Sequence, residues 1–508
     1  MSIGTVYLVG AGPGDPGLIT VRGQAVLAKA DVVVYDHLVA PALLRRCSPR
    51  AKRIYAGKEA SRRAMSQDAI NQLLVRQALA GKTVVRLKGG DPFLFGRGGE
   101  EASVLAQAGV RFEVVPGVTS ALAVPAYAGI PLTHRKLSSS VAILTGHEDP
   151  TKGGSAIRWE QISRGCETLV FLMGVAKLPS IVARLARHGR ASTTPAAVIS
   201  WGTWPQQRAV VGTLGTIVRR AAREAIEPPA VLVVGDVVKL QRRLRWVDAK
   251  PLAGRRVLVT RAPEKAGLLV EQLGVLGADV EQLPAITLAG VKANGRFRQA
   301  VRDIPRTDWV FFTSPEGIGW FSRTLQPRRN SIRRLARCHI GAIGPKTAEA
   351  LEEAGLRVDF VPRRFSQEGM LADLPERLLR GRRGVIFSAQ NSRDALVQGL
   401  QRRGMRVSKI PIYRTIMPRG MSRRIEQVFR RPFDLVMVTS ASCVQHLHEA
   451  LRRTGRQRLF THLPFASIGP ITSEAVEALG GRVAVEASVS TIEGLLEAMG
   501  RWQPRLMR

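Results

Sequence analysis

The run Val84-Val85-Arg86-Leu87-Lys88-Gly89-Gly90-Asp91-Pro92-Phe93-Leu94-Phe95-Gly96-Arg97-Gly98-Gly99-Glu100-Glu101 restricts the fold more than any other stretch of the chain. Val84 to Leu87 reads as a short buried strand, and it stops at a Gly-Gly-Asp-Pro turn before a helical pattern that starts near Gly98. A strand ending in two glycines lets a small molecule approach the main chain, whose N–H groups then bond to it directly. Taken alone, Gly-Gly-Asp-Pro is more often a plain turn. The surrounding sequence decides between the two.

The N-terminus has the same grammar. Val6-Tyr7-Leu8-Val9 reads as a strand, followed by Gly10-Ala11-Gly12-Pro13-Gly14-Asp15-Pro16-Gly17, a helical pattern from Leu18 to Ala30, and a second strand, Val32 to Tyr35, ending at Asp36. A glycine-rich turn after a strand, with an acidic residue roughly twenty positions on, outlines a dinucleotide site. The third fingerprint glycine falls at position 15, which is aspartate, and Pro13 and Pro16 stiffen a loop that normally runs straight into a helix. A nucleotide-binding Rossmann domain, and a NAD-linked oxidoreductase with it, is therefore the weaker reading.

At 508 residues the chain exceeds one hydrophobic core, and about three or four compact units are expected. No run of about eighteen apolar residues and no leader pattern occurs, so a cytoplasmic α/β protein without a membrane partner is expected. Cys47, Cys166, Cys338 and Cys443 form no CxxC pair, which argues against a zinc site or a disulfide scaffold, and no metal is expected. The formal charge of +36 invites a nucleic-acid reading. The excess is spread over both halves, with no basic tail, zinc-finger spacing or aromatic-rich strand, so no nucleic-acid partner is expected. A polyanionic small substrate is drawn by the same field.

Beyond Pro251 the sequence repeats itself. Val257-Leu258-Val259-Thr260-Arg261 is echoed by Val385-Ile386-Phe387-Ser388, Phe311-Phe312-Thr313-Ser314 by Met437-Val438-Thr439-Ser440, and Ile343-Gly344-Pro345-Lys346-Thr347 by Ile468-Gly469-Pro470-Ile471-Thr472. The offset stays at about 125 to 128 residues, which predicts two similar α/β lobes. Their strand ends present hydroxyls and helix N-terminal amides, groups suited to carboxylates.

Taken together, Val6–Gly17, Val33–Asp36, Ile54–Lys58, Val84–Glu101, Glu113–Ala121, Ala126–Arg135, Thr145-Gly146-His147, Leu172-Met173-Gly174 and Val233-Val234-Gly235 resemble the uroporphyrinogen-III C-methyltransferases, a family of the tetrapyrrole-type methyltransferases. The resemblance implies two α/β lobes with S-adenosylmethionine in the cleft between them, usually as a homodimer. It implies cofactor contacts at Pro13, Gly89, Gly90, Asp91, Leu94, Thr119, Ser120, Met173 and Gly202, and an acid/base pair of Asp36 and Lys58. Both types suit a reaction in which an electron-rich pyrrole carbon takes a methyl group and a proton must then leave the tetrapyrrole. A strand-end aspartate in a turn and a solvated lysine are the plain alternatives, and the loop after Lys58 lacks the histidine that the family often carries. Arg86, Arg97, Arg135 and His134 are candidates for substrate carboxylates.

The remainder, about 252–500, resembles uroporphyrinogen-III synthase in the order of its Thr-Arg, Phe-Thr-Ser, Ile-Gly-Pro, Tyr-Arg-Thr, Thr-Ser and Ile-Gly-Pro motifs. That resemblance implies closure of hydroxymethylbilane with inversion of the last ring. It implies Tyr413 as the residue assisting loss of the bilane hydroxyl, and Arg261, Thr313, Ser314, Thr347, Thr439, Ser440 and Thr472 as substrate contacts. A two-lobed methylase fold over 1–246 (lobes about 1–118 and 119–246), a linker at 247–254 and a two-lobed synthase fold over 255–508 are expected. One synthase lobe is expected from about 255–284 plus 412–508, the other from 285–411. The partners expected are polycarboxylate tetrapyrroles and a second copy, paired through the methyltransferase half. The alternative is a methyltransferase with a non-catalytic second half.

Overall fold

The computed structural model describes residues 3–57, 65–148, 155–291, 295–325, 332–418 and 420–503. The chain divides into two compact units, Met1–Arg255 with Leu273–Asp279, and Arg256–Gln272 with Val280–Arg508. Among the described residues no helix is long and apolar enough to cross a membrane.

The first unit opens with a fully parallel sheet of β1 (Thr5–Gly10), β2 (Val32–Tyr35), β3 (Lys52–Tyr55), β4 (Val84–Lys88) and β5 (Arg111–Val115), in the order β3-β2-β4-β1-β5. The central strands are near-continuous Val/Leu runs because both faces are covered. Val6, Leu8 and Val84 pack against Leu74 and Leu105 on one face, and Val9, Val33, Val85 and Leu87 against Leu27 and Leu43 on the other. From β1 the chain proceeds toward β2, and from β4 it crosses to β5. The crevice between the carboxyl ends of β1 and β4 is thus the switch point at which open α/β sheets bind ligands.

The helix expected over Leu18–Ala30 is split. Asp15 accepts from the Gly17 N–H at 2.7 Å and caps a 3-10 turn, Pro16–Leu18, and Thr20 then caps the helix Val21–Lys29. The aspartate in place of the third glycine is what parts this loop from a dinucleotide turn.

A second, mixed sheet follows, made of β6 (Val141–Thr145), β7 (Thr168–Leu172), β8 (Pro195–Ser200), β9 (Arg208–Thr213) and β10 (Ala230–Val234), ordered β6-β7-β10-β8-β9. Only β6 and β7 pair in parallel. Helix Ser120–Tyr127 leaves the first sheet after β5 and buries Ala121 and Val124 against Ile199 and Val231 of the second.

The second unit holds β11 (Arg256–Val259), β12 (Asp279–Gln282), β13 (Thr287–Gly290), β14 (Trp309–Phe312), β15 (His339–Ala342), β16 (Arg383–Ala389), β17 (Arg406–Ile416), β18 (Leu435–Val438), β19 (Pro464–Ser467) and β20 (Arg482–Glu486). They form two sheets, β12-β11-β18-β19-β20 and β13-β17-β16-β14-β15. The chain leaves the first of these after β12 and returns to it after β17. The internal repeat is visible in the neighbours: β11, β18 and β19 stand side by side as their echoes β16, β14 and β15 do.

Candidate active sites

Three glycines meet at the switch point. A Cβ on Gly10 would lie 2.4 Å from the Gly117 Cα, and one on Gly117 would lie 2.3 Å from the Gly90 carbonyl oxygen. Gly12 and Gly90 bond reciprocally, at 3.2 and 2.8 Å, so the first loop is stitched onto the end of β4. Gly90 has a φ of +68°, and a Cβ there would meet nothing nearer than the Ser120 nitrogen at 3.7 Å. Gly90 therefore faces the main chain of Thr119-Ser120 with room for no more than an ordinary contact, and this floor is made of main chain.

Asp91 braces this floor. Its Oδ1 accepts from the Phe93 and Leu94 N–H groups at 2.8 and 3.0 Å, and its Oδ2 from the Gly117 N–H at 3.0 Å. Leu94 turns inward and packs on the core beneath the second sheet. Thr119 caps helix Ser120–Tyr127 through the Ala121 N–H at 3.3 Å. Met173 follows β7 with a φ of +55° and half of its surface exposed. Gly202 is pressed so closely on Val124 that a Cβ would stand 2.3 Å from its Cγ1. The Pro13 carbonyl accepts from Trp204 Nε1 at 3.0 Å.

Asp36 ends β2 beside this floor, its Oδ1 3.7 Å from where a Cβ of Gly89 would stand. Beneath it lies a charge set that the sequence did not reveal. Arg86, expected at a substrate surface, is 4 % exposed; its Nε donates to Glu101 Oε1 at 3.1 Å, and its Nη2 lies 3.7 Å from Asp36 Oδ2. Lys88 and Gln67 donate to the same Glu101 oxygen, at 2.9 and 3.1 Å, while the buried Oε2 has no hydrogen-bond partner among the described residues. Burial above all, and then the Arg86 guanidinium, lower the Lys88 pKa; Glu101 works against both. The i, i+2 spacing of Arg86 and Lys88 was the available signal, since it puts both on one face of β4. Lys58 lies outside the described residues.

In the second unit the expected contacts fall into two groups, each at the carboxyl ends of parallel strands. Thr313 and Ser314 follow β14, Thr347 is buried in helix Pro345–Glu353, and Tyr413 lies near the end of β17. The Ser314 and Tyr413 hydroxyls are 2.8 Å apart, and burial pushes the Tyr413 phenol pKa up while Ser314 opposes it. The other group is Arg261 after β11, Thr439 and Ser440 after β18, and Thr472, buried in helix Pro470–Glu477. Ser440 caps helix Ala441–Arg453 through the Cys443 N–H.

The family model of the tetrapyrrole (corrin/porphyrin) methylases matches residues 5–218, and that of uroporphyrinogen-III synthase HemD matches residues 267–497. A porphyrin biosynthesis protein HemD of Ruminiclostridium josui is 37% identical over 501 residues, 98% of either chain. A uroporphyrinogen-III C-methyltransferase of Bacillus subtilis is 39% identical, over 83% of this chain and 86% of that one. A crystal structure of the uroporphyrin-III C-methyltransferase of Thermus thermophilus with S-adenosylhomocysteine covers 46% of this chain and 94% of that one, at 42% identity and a TM-score of 0.40.

Fold, strand-end sites and family models together define a two-domain enzyme of tetrapyrrole biosynthesis, a methyltransferase followed by a synthase. The chain belongs to the family of HemD-type porphyrin biosynthesis proteins, with both domains present. Its cofactor is S-adenosylmethionine. The first unit fits that group: the strand-end floor at Gly89, Gly90, Thr119 and Ser120 presents main chain to a ligand, and the half-exposed Met173 after β7 offers apolar surface.

Proposed function

We propose that the second unit closes hydroxymethylbilane to uroporphyrinogen III with inversion of the last ring, and that the first unit methylates this product twice to precorrin-2. The observation that carries the methyltransferase reading is the Asp36 carboxylate beside the glycine floor. S-adenosylmethionine, when bound, supplies an electrophilic methyl group. The main chain of Gly89 and Gly90 binds the donor, and Pro13, Thr119, Ser120, Leu94, Met173 and Gly202 surround it. Asp91 holds the floor in shape. Asp36 accepts the proton that the tetrapyrrole macrocycle releases after C-methylation, since the methylated carbon itself is quaternary and carries none, and Lys58 is its proposed proton-donating partner. Alignment supplies most of the rate, since no covalent enzyme intermediate is needed.

In the second unit Tyr413 donates its proton to the departing bilane hydroxyl, which leaves as water. Ser314 orients the phenol. Arg261, Thr313, Thr347, Thr439, Ser440 and Thr472 hold the carboxylates of the folded bilane. Replacing Tyr413 by phenylalanine is expected to slow type III ring closure about tenfold. The loss is small for a general acid because the electron-rich pyrrole already expels the hydroxyl. Methylation of added uroporphyrinogen III stays unchanged, and comparing the two rates checks this.

We place the domain boundary near Pro251 and assign the chain to the cytoplasm, as a homodimer paired through the methyltransferase unit and without nucleic-acid partners. The test of function is mass spectrometry with isomer analysis of the tetrapyrrole formed from hydroxymethylbilane anaerobically, with and without S-adenosylmethionine. Type III isomer without the cofactor, and two added methyl groups with it, is the expected result. Type I isomer alone overturns the synthase assignment.

A further inference from the structure

A closed ring of hydrogen bonds joins three segments of the methyltransferase unit that lie far apart in sequence. Asp15 Oδ2 accepts from the Tyr127 hydroxyl at 2.7 Å, and the Asp15 N–H donates to Thr203 Oγ1 at 3.2 Å. The Thr203 N–H donates to Gln207 Oε1 at 2.8 Å, and Gln207 Nε2 returns to the Tyr127 carbonyl at 3.1 Å. Trp204 fastens the ring from outside. Its Nε1 donates to the Pro13 carbonyl at 3.0 Å, and its indole lies so close on the first loop that a Cβ at Gly14 would stand 2.1 Å from that nitrogen.

The three segments are those that carry the proposed donor contacts on both sides of the cleft. The first loop holds Pro13, helix Ser120–Tyr127 begins at Thr119-Ser120, and the turn after β8 holds Gly202. That turn is strained. Trp201 and Thr203 have φ values of +50° and +67°, which non-glycine residues keep only where their surroundings over-determine the backbone. The bonds of Thr203, Gln207 and Trp204 are what over-determine it. Burial, and then the bond to Asp15, raise the Tyr127 pKa, so its hydroxyl stays a donor at any working pH.

We infer that Asp15, Tyr127, Thr203, Gln207 and Trp204 are positioning residues that set the spacing across the donor cleft, so that donor affinity depends on bonds the donor does not itself make. The inference rests on the proposed donor site. Breaking one bond of the ring lets the first loop and the Gly202 turn move apart, and a bound donor must then re-form that spacing at the expense of its own affinity.

The test is isothermal titration of the full chain with S-adenosylhomocysteine, for the native protein, Tyr127→Phe, Trp204→Phe and Trp246→Phe. Each of the first two variants loses one polar bond of the ring and keeps a ring-shaped side chain. Trp246→Phe is the control: Trp246 Nε1 donates to the Ala126 carbonyl at 3.0 Å, a bond outside the ring, and the phenyl keeps an aromatic side chain at the edge contact with Tyr127, where the two rings lie 5.1 Å apart. Tyr127→Phe and Trp204→Phe are each expected to bind about tenfold more weakly, the range of one lost hydrogen bond. The KM for S-adenosylmethionine rises by the same factor, while the KM for uroporphyrinogen III and the affinity of Trp246→Phe stay as in the native protein. Unchanged affinity in both ring variants overturns the inference. So does an equal loss of tetrapyrrole affinity, which marks the ring as general scaffold. A native protein that binds no S-adenosylhomocysteine instead overturns the donor site itself.

Discussion

Replacing Glu101 by glutamine is expected to destabilise the first unit by about 3–5 kcal/mol. Glu101 is fully buried, and the two cations that share its Oε1, Arg86 and Lys88, are each only 4 % exposed. The native set already holds two buried positive charges against one buried negative charge, with Asp36 at its mouth as the second anion. Removing the Glu101 charge leaves two like charges on one face of β4 with no anion between them, a cost of the kind that makes broken buried pairs expensive. Hydrogen exchange of peptides spanning Val84–Gln107, read by mass spectrometry on the whole chain, measures the loss without assuming that both units unfold together.

The same variant carries a pH signature. Lys88 titrates below its ordinary value of 10.5 in the folded protein, chiefly through burial and Arg86, and Glu101 is a cause working the other way. A lysine with a lowered folded pKa destabilises the fold in full below that folded value. That penalty fades as pH rises from the folded value toward 10.5. Without Glu101 the folded value falls further, so the variant regains stability earlier on the alkaline side. The gap to the native protein therefore narrows as pH rises from neutral, and a gap that stays constant removes Lys88 from the account.

This charge set marks where sequence reading stopped. The strands around it were legible: Val6–Val9, Val32–Tyr35 and Val84–Leu87 are unbroken apolar stretches apart from Tyr7, Tyr35 and Arg86, and β1, β2 and β4 occupy them. Of the switch-point glycines, Gly10 and Gly90 were legible as ends of glycine-rich turns, whereas Gly117 emerged only from the fold, which brings it so close to Gly10 that only glycine fits. Arg86 was not. In a chain with so many arginines an isolated one reads as surface charge, and only the fold brings Glu101 from the next helix to meet it, fifteen residues on. The ring of Asp15, Tyr127, Thr203 and Gln207 was hidden for a stronger form of the same reason, because its Asp15–Thr203 bond spans 188 residues. In the second unit the repeat fixed the echo of β11, β18 and β19 in β16, β14 and β15, because strand ends with equal turns recur at a constant offset. It carried no information on which hydroxyls meet, and the Ser314–Tyr413 pair comes from strands β14 and β17, separated in the sheet by β16.

Gly117→Ala is expected to reduce methylation at least about a hundredfold while leaving ring closure intact. The new methyl group would fall 2.3 Å from the Gly90 carbonyl oxygen and 2.6 Å from the Gly10 Cα, and both are main-chain atoms. A flexible side chain cannot swing away here. The strand ends must separate by an ångström or so, and two further bonds move with them: Asp91 Oδ2 loses its line to the Gly117 N–H, and the Gly12–Gly90 bridge is strained. Displacement of the floor by that amount tilts the proposed donor site away from Asp36, and a misplacement of about 1 Å is enough to cost about a hundredfold where alignment carries the rate. The second unit provides the internal control. Uroporphyrinogen III formed from hydroxymethylbilane by the same preparation reports that the chain is folded and active beyond Arg256, so loss of methyl transfer with retained ring closure localises the damage to the switch point. Wild-type methylation in Gly117→Ala would mean that the three-glycine contact does not floor the donor site.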